Sequence, residues 1–210
     1  QNSLHLAHKI IEASLDGIII VNSQGKIDYV NPTFTHVTGY SSDEAVGQTP
    51  ALLKSGRHEE NYYTEMWQQL QIDGYWQGEI WNRRKNGEVY PEWLTITAIR
   101  NDAGDIYQYA GIFCDISERK NQENQIRRLA YFDELTKLPN RRLFSDRLNM
   151  AVARSKRHHE RLAIMFVDLD HFKKINDTLG HNTGDALLVE AAERLKHCTR
   201  DEDTVARMGG

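Results

Sequence analysis

Cysteine is scarce in this chain. Only Cys114 and Cys198 occur, and neither stands in the close spacing of a metal site. Free thiols in a reducing, cytoplasmic setting are therefore expected. Long apolar runs are also missing: no stretch approaches the roughly 20 residues that cross a bilayer. That leaves no membrane segment in this piece, while a full-length protein anchored further upstream remains compatible with it. An excess of basic charge is missing too. The formal charge is -4, which gives no electrostatic footprint for a nucleic-acid partner. No signal peptide is visible at Gln1, an end that reads as a cut and not as a native start. The 210 residues are enough for two domains of ordinary size, each able to bury a core.

The most informative stretch runs from Leu162 to Asp185, LAIMFVDLDHFKKINDTLGHNTGD. Leu162 to Val167 is short and apolar enough for a buried strand, and it ends in Asp168, Leu169 and Asp170. A polar, basic segment with Lys173, Lys174, Asn176 and Asp177 follows, and a helix is expected to begin around Thr183 to Asp185. Mg²⁺ or Mn²⁺ takes hard oxygen ligands, so Asp168 beside a backbone carbonyl suits a metal held against a triphosphate. Guanine presents two N–H donors on one edge; a carboxylate accepts both, and an amide both donates and accepts. Asp185 and Asn176 have the right types for that edge. Taken singly, each of these residues also fits capping and turn chemistry.

As a combination, FVDLDHFKKINDTLGHNTGD resembles the nucleotide-binding core of the GGDEF family, the diguanylate cyclases. The resemblance implies GTP as substrate and cyclic di-GMP as product. It makes Asp168 the catalytic metal carboxylate, the Leu169 carbonyl a further ligand, and Phe172, Lys173, Asn176 and Asp185 the substrate contacts. Asp133 to Arg142, DELTKLPNRR, resembles the entry motif of the same domains. Arg200 and Asp203 match the Arg-x-x-Asp that binds product as an inhibitor, although a charge cluster at a loop end is the plainer reading. Thr204 to Met208 is expected as a strand entering the signature hairpin, with Gly209 and Gly210 its first two residues. The domain is thus expected as its N-terminal part, a truncated ferredoxin-like nucleotidyl-cyclase palm without turnover of its own.

The first half reads differently. Leu4, Ala7, Ile11 and Leu15 recur at helical spacing, and then Ile18 to Val21 and Ile27 to Val30 form two short strands around Ser23-Gln24-Gly25-Lys26. Asn31-Pro32 suits a helix start. Glu59 to Leu70 is a further helix, and Tyr75 to Arg83, Val89 to Ile99 and Ile106 to Asp115 are three strands separated by hairpin signals. This order, with IDYVNPTFTHVTGYSSDEAVGQ, NRRKNGEVYPEWLTI and GIFCDISERK, resembles a PAS domain with its C-terminal extension.

The PAS resemblance implies sensing by a held cofactor or by dimerisation. Alternation puts Trp76, Gly78, Ile80 and Asn82 on one face, and WQGEIWNRRKNGE is similar to flavin-binding PAS domains of redox regulators. FAD at Trp76 and Asn82 is the cofactor this implies; a core Trp with a satisfied Asn is the alternative. A photoadduct-forming flavin needs a cysteine that Ala51 to Arg57 lacks. Haem would need His36 or His58, and lone histidines are more often structural.

The expected organisation is α+β: a PAS sensor over residues 1–117 with a five-stranded antiparallel sheet and flanking helices, a helical signalling linker over 118–132, and the GGDEF part over 133–210. A homodimer through the PAS domain and the linker helix is expected, with the apolar register of the linker weak for a coiled coil. The function implied is a PAS-regulated diguanylate cyclase; the alternative is a degenerate GGDEF domain that binds GTP or cyclic di-GMP as a regulatory module, coupled to a phosphodiesterase.

Overall fold

The computed structural model describes residues 2–209 and divides into one compact unit up to Asn121 and a second from Gln122. In the first unit the order is α1 (Asn2–Glu12), β1 (Gly17–Asn22), β2 (Ile27–Val30), α2 (Pro32–Thr38), α3 (Ser42–Ala45), a 3₁₀ turn (Pro50–Leu53), α4 (Glu60–Asp73), β3 (Tyr75–Arg83), β4 (Val89–Arg100) and β5 (Ile106–Asp115). The five strands form one sheet in the order β2-β1-β5-β4-β3, antiparallel throughout. Alternation along the strands sends Ile19, Val21 and Phe113 to one face, where they pack with Ile27, Val30, Phe34, Ala45 and Leu53. A second cluster joins Met66 and Leu70 of α4 to Trp76 of β3. At the close pairing of Ile19 with Gly111, a Cβ on the glycine would lie 2.7 Å from Cγ2 of Ile19, so only glycine keeps β1 and β5 in register there.

Asn31 holds the entry to this unit. Its Oδ1 accepts from the N–H of Phe34 (3.0 Å), capping α2, and from the N–H of Ile18 (2.8 Å). Its Nδ2 donates to the carbonyls of Asp16 (2.9 Å) and Ile11 (3.1 Å). One side chain, 1% exposed, therefore ties the end of α1, the start of β1 and the start of α2.

In the second unit α5 (Ser117–Tyr131), which begins in the first, is followed by α6 (Arg141–His158), α7 (Phe172–Leu179) and α8 (His181–His197). Asn140 repeats the device of Asn31. Its Oδ1 accepts from Arg142 and Leu143 and caps α6, while its Nδ2 donates to the carbonyl of Ala130 in the last turn of α5. The turn between the two helices is closed further by the bridge of Phe132 with Pro139.

Three expectations are corrected here. Leu162 to Val167 is not a strand: no strand pairs with it, and Met165 and Phe166 are 85% and 81% exposed. A β-strand is completed by a neighbour's ladder, and an apolar run without one has no reason to stay pleated. The same holds for Thr204 to Met208, which is irregular, so the second unit shows no ferredoxin-like sheet among the described residues. The basic segment after Asp170 is the helix α7, because Phe172, Ile175 and Leu179 recur at helical spacing. Gly210 lies outside the described residues.

Replacing Asn31 with Ala strands two buried N–H groups and two carbonyls at once. We expect Asn31→Ala to cost about 2–4 kcal/mol, read as a lower urea midpoint; a loss below about 0.5 kcal/mol would contradict the central role given to this amide.

Candidate functional site

The first unit encloses a cavity of about 360 Å³ between the sheet and the segment from Thr49 to Trp67. Its walls are mostly apolar, with Ile19, Val21, Leu53, Met66, Ile80 and Phe113 among them. The lining also carries polar side chains, among them Thr49, Lys54, Tyr63, Asn82, Glu92 and Tyr109. Tyr63 has a buried hydroxyl without a hydrogen-bond partner. Asn82 and Glu92 form a pair, with Nδ2 of Asn82 donating to Oε1 of Glu92 at 2.8 Å.

Glu92 is 1% exposed. The hydroxyl of Tyr90 donates to its second oxygen at 2.7 Å. Burial pushes its pKa up to about 7, against the pull of these two donors and of Arg84. Arg84 lies 3.9 Å over the Tyr90 ring and donates to the carbonyl of Val37 at 2.6 Å. It also pairs with Asp115, whose other oxygen accepts from the N–H of Ser117 at 2.8 Å, at the start of α5. For Asp115, burial opposes the charge, but the bonds from Ser117 and Arg84 outweigh it and hold its carboxyl below the ordinary range. A second tie reaches the same helix turn, where Lys120 pairs with Glu79 of β3 at 2.6 Å.

Of the residues expected at a flavin, Asn82 lines this cavity and Trp76 does not; its ring packs with Met66 and Leu70 instead. His58, a candidate haem ligand, accepts the N–H of Trp81 through Nε2 at 2.9 Å and stacks on Tyr62. Burial first, then the charge of Arg57, lowers its pKa, consistent with a neutral acceptor. His36 is exposed on α2, and neither histidine lines the cavity.

In the second unit α7 and α8 pack as a tight helical pair joined at Gly180. Asn176 is directed at Gly184 so closely that a Cβ there would collide with its Oδ1, which is buried without a partner. Asp185, the next residue, is exposed. Asn176 of α7, with its unused acceptor, and Asp185 of α8 thus stand on the two helices of one packed pair. Phe172 is half-buried on α7 and Lys173 is exposed beside it. Asp168 is exposed and Leu169 half-buried in the irregular segment before α7. Arg200 and Asp203 are exposed; the carboxylate of Asp203 accepts from the backbone N–H of Arg200 at 3.1 Å, a turn contact. The entry motif ends on a link that its spacing does not announce. Asp133 accepts from the N–H (2.8 Å) and hydroxyl (2.7 Å) of Thr136 and pairs with Arg207 at 3.1 Å.

Comparison with protein families matches residues 15–118 to the description "PAS domain" and residues 130–210 to "Diguanylate cyclase, GGDEF domain". The chain is a PAS domain followed by a GGDEF-domain segment. Over 92 residues, 44% of the chain, it is 50% identical to the "Bifunctional diguanylate cyclase/cyclic di-GMP phosphodiesterase MucR" of Pseudomonas aeruginosa, and it covers 13% of that protein. Over 97% of the chain it is 29% identical to the "Probable diguanylate cyclase DgcE" of Escherichia coli, covering 19% of it. The chain thus spans less than a fifth of the length of these relatives. The PAS domain is also similar in structure to that of a protein from Colwellia psychrerythraea, with a TM-score of 0.53 and 26% identity over 56% of this chain and 99% of the other.

Two cofactors can be tested against the residues present. For a divalent metal in the GGDEF segment, no group of three or more His, Cys, Asp or Glu side chains converges among the described residues. Asp168 and the Leu169 carbonyl bring two hard oxygens to the irregular segment before α7, of the type a divalent cation takes. For a flavin in the PAS domain, the apolar walls and the polar Asn82 and Glu92 suit a ring system. At about 360 Å³ the cavity sits near the small end of roughly 300–1,000 Å³ for ligand pockets, and a dinucleotide tail would have to lie outside it. No helix among the described residues is long and apolar enough to cross a membrane.

Glu92 went unnoticed in the sequence, yet the signal is there. Tyr90, Glu92, Leu94 and Ile96 alternate along β4 and share its inward face, so an acid stands at a core position. A carboxylate whose folded pKa lies above its unfolded value favours folding while protonated, and that advantage is lost as pH rises from about 4.5 to about 7. Relative to Glu92→Gln, the unmodified domain should lose on the order of 2–4 kcal/mol of unfolding free energy between pH 5 and pH 8. Parallel stability curves for the two proteins across that range would refute the assignment.

Proposed function

We infer that this PAS–GGDEF chain works in cyclic di-GMP signalling as a nucleotide-binding regulatory module, its GGDEF segment holding GTP or cyclic di-GMP while the PAS domain receives the signal. The observation that carries this reading is the α7–α8 pair, where the partnerless Oδ1 of Asn176 lies against Gly184, next to Asp185. An amide with a spare acceptor beside a carboxylate matches the donor edge of guanine and not that of adenine. In a relative such as MucR both synthesis and hydrolysis of cyclic di-GMP are named, and coupling to a phosphodiesterase domain suits a module of this kind. The expected measurement is GTP binding in excess of ATP binding. Asn176→Ala or Asp185→Ala should weaken GTP about tenfold, one bidentate contact's worth, and cyclic di-GMP should not form from GTP in the chain itself. Equal affinity for GTP and ATP would sink the reading.

The second reading is synthesis of cyclic di-GMP from two GTP by the complete protein, with Asp168 and the Leu169 carbonyl at the metal and Phe172 and Lys173 at the nucleotide. It is favoured by the motif from Phe166 to Asp185 and by the relative DgcE, a probable diguanylate cyclase by name. Under it Arg200 and Asp203 form the inhibitory product site, and a homodimer through the PAS domain and α5 brings two nucleotides together.

For the PAS domain we propose FAD, its ring in the cavity against Asn82. Protein purified from cells should then be yellow and release flavin on denaturation; protein that stays colourless after incubation with FAD would exclude it.

A further inference from the structure

In the sheet order β3 is an edge strand, and an open edge presents unpaired backbone donors and acceptors. Here they are met by the segment from Lys54 to Tyr62, which runs from the 3₁₀ turn into α4. The Ser55 hydroxyl donates to the carbonyl of Trp81, and the Tyr62 hydroxyl donates to the carbonyl of Glu79 at 2.6 Å. Arg83 returns a bond to the carbonyl of Ser55, and Lys54 makes an isolated bridge with Asn82. The N–H of Trp81 is taken by Nε2 of His58 at 2.9 Å. A hydroxyl or a carbonyl accepts at any ordinary pH, but an imidazole accepts only while it is neutral. This ring is half-buried and stacks on Tyr62 with centroids 4.2 Å apart, so its nitrogen is held in place against the strand.

We propose that His58 is a proton-operated latch on this edge: neutral, it holds the Lys54 to Tyr62 segment against β3, and protonated, it releases the Trp81 N–H and loosens the segment there. An imidazolium carries two N–H donors and no acceptor, so two N–H groups would face each other across the contact. The charges around the ring favour the neutral form. Arg57, the preceding residue, holds its guanidinium 3.7 Å over the Trp81 ring. From α4, Tyr62 and Tyr63 present their rings, and Lys54 lies 4.1 Å over that of Tyr63. Glu79 of β3 favours the charged form, but Lys120 of α5 pairs with it at 2.6 Å. Burial and then Arg57 outweigh Glu79 and hold the imidazole below its ordinary value of 6.5. A folded-state value below the unfolded one means that the tie is complete above pH 6.5 and is lost as pH falls through the folded-state value. His58 lies outside the cavity lining, and the latch needs neither a bound ligand nor the nucleotide reading.

The test follows backbone amide exchange in the whole, isotope-labelled chain between pH 7.5 and pH 5, each rate divided by the intrinsic rate at that pH. Protection of the Trp81 amide should fall about tenfold relative to that of Ile80, the upper worth of one net hydrogen bond. Ile80 pairs with Glu92 inside the sheet, so titration of Glu92 moves both amides together and the ratio isolates the edge. The fall should share its midpoint with the ring resonances of His58. His58→Phe keeps a ring against Tyr62 and removes the acceptor; its ratio should be low at pH 7.5 and level throughout. His58→Gln offers an acceptor that does not titrate, and its ratio should be level as well. A level ratio in the unmodified chain, a midpoint away from that of His58, or a pH dependence that survives in either variant overturns the latch.

Discussion

A carboxylate buried in the inner face of a sheet is an expensive object, and much of the PAS domain is arranged to meet its demands. Glu92 must find donors without water, so Tyr90 precedes it by two residues on the same face and Asn82 reaches it from β3. That requirement fixes the hairpin. A slip of one residue between β3 and β4 would turn Glu92 to solvent and bring Trp93, which is 40% exposed, into the core. It also fixes Arg84, which stacks on Tyr90 and pairs with Asp115. Through these contacts the acid's environment extends from the cavity wall to the start of α5.

Both units solve the problem of a helix start with an asparagine beside a proline. Asn31 precedes Pro32, and Asn140 follows Pro139. In each case Oδ1 accepts from an orphan N–H of the new helix, and Nδ2 donates to a carbonyl left over by an earlier helix. An amide is suited to this because it donates and accepts on one rigid plane; an aspartate at either place could only accept. At Asn140 the result is a compact joint between α5 and α6, and Arg207 adds a third chain segment by pairing with Asp133 and donating its backbone N–H to the carbonyl of Pro139.

Where structure is local, the sequence was legible. The strands Tyr75–Arg83 and Ile106–Asp115 have the expected bounds because alternation and flanking hairpin turns are short-range signals. The pairing of Asp133 with Arg207 joins residues 74 apart, and nothing in the spacing announces it. Trp76 and Asn82 do share a face, as alternation requires, but a face is longer than a cavity: α4 covers the Trp76 end with Met66 and Leu70. The candidate nucleotide residues were found by motif, and their relation was not. That Asn176 meets Gly184 depends on α7 being a helix, which the charge of Lys173 and Lys174 obscured. Leu162 to Val167 was misread for the opposite reason, since composition favours a strand but only a neighbour can complete one.

That last segment has a consequence for the handling of the molecule. Six consecutive residues, Leu162 to Val167, lack any charge, proline or glycine, and no strand covers them. Two copies meeting at this segment would offer each other matching backbone donors and acceptors together with apolar side chains, the ingredients of intermolecular β-pairing. Concentration then becomes a structural variable. An uncharged apolar run of this length is of the kind that pairs between chains when it is left uncovered.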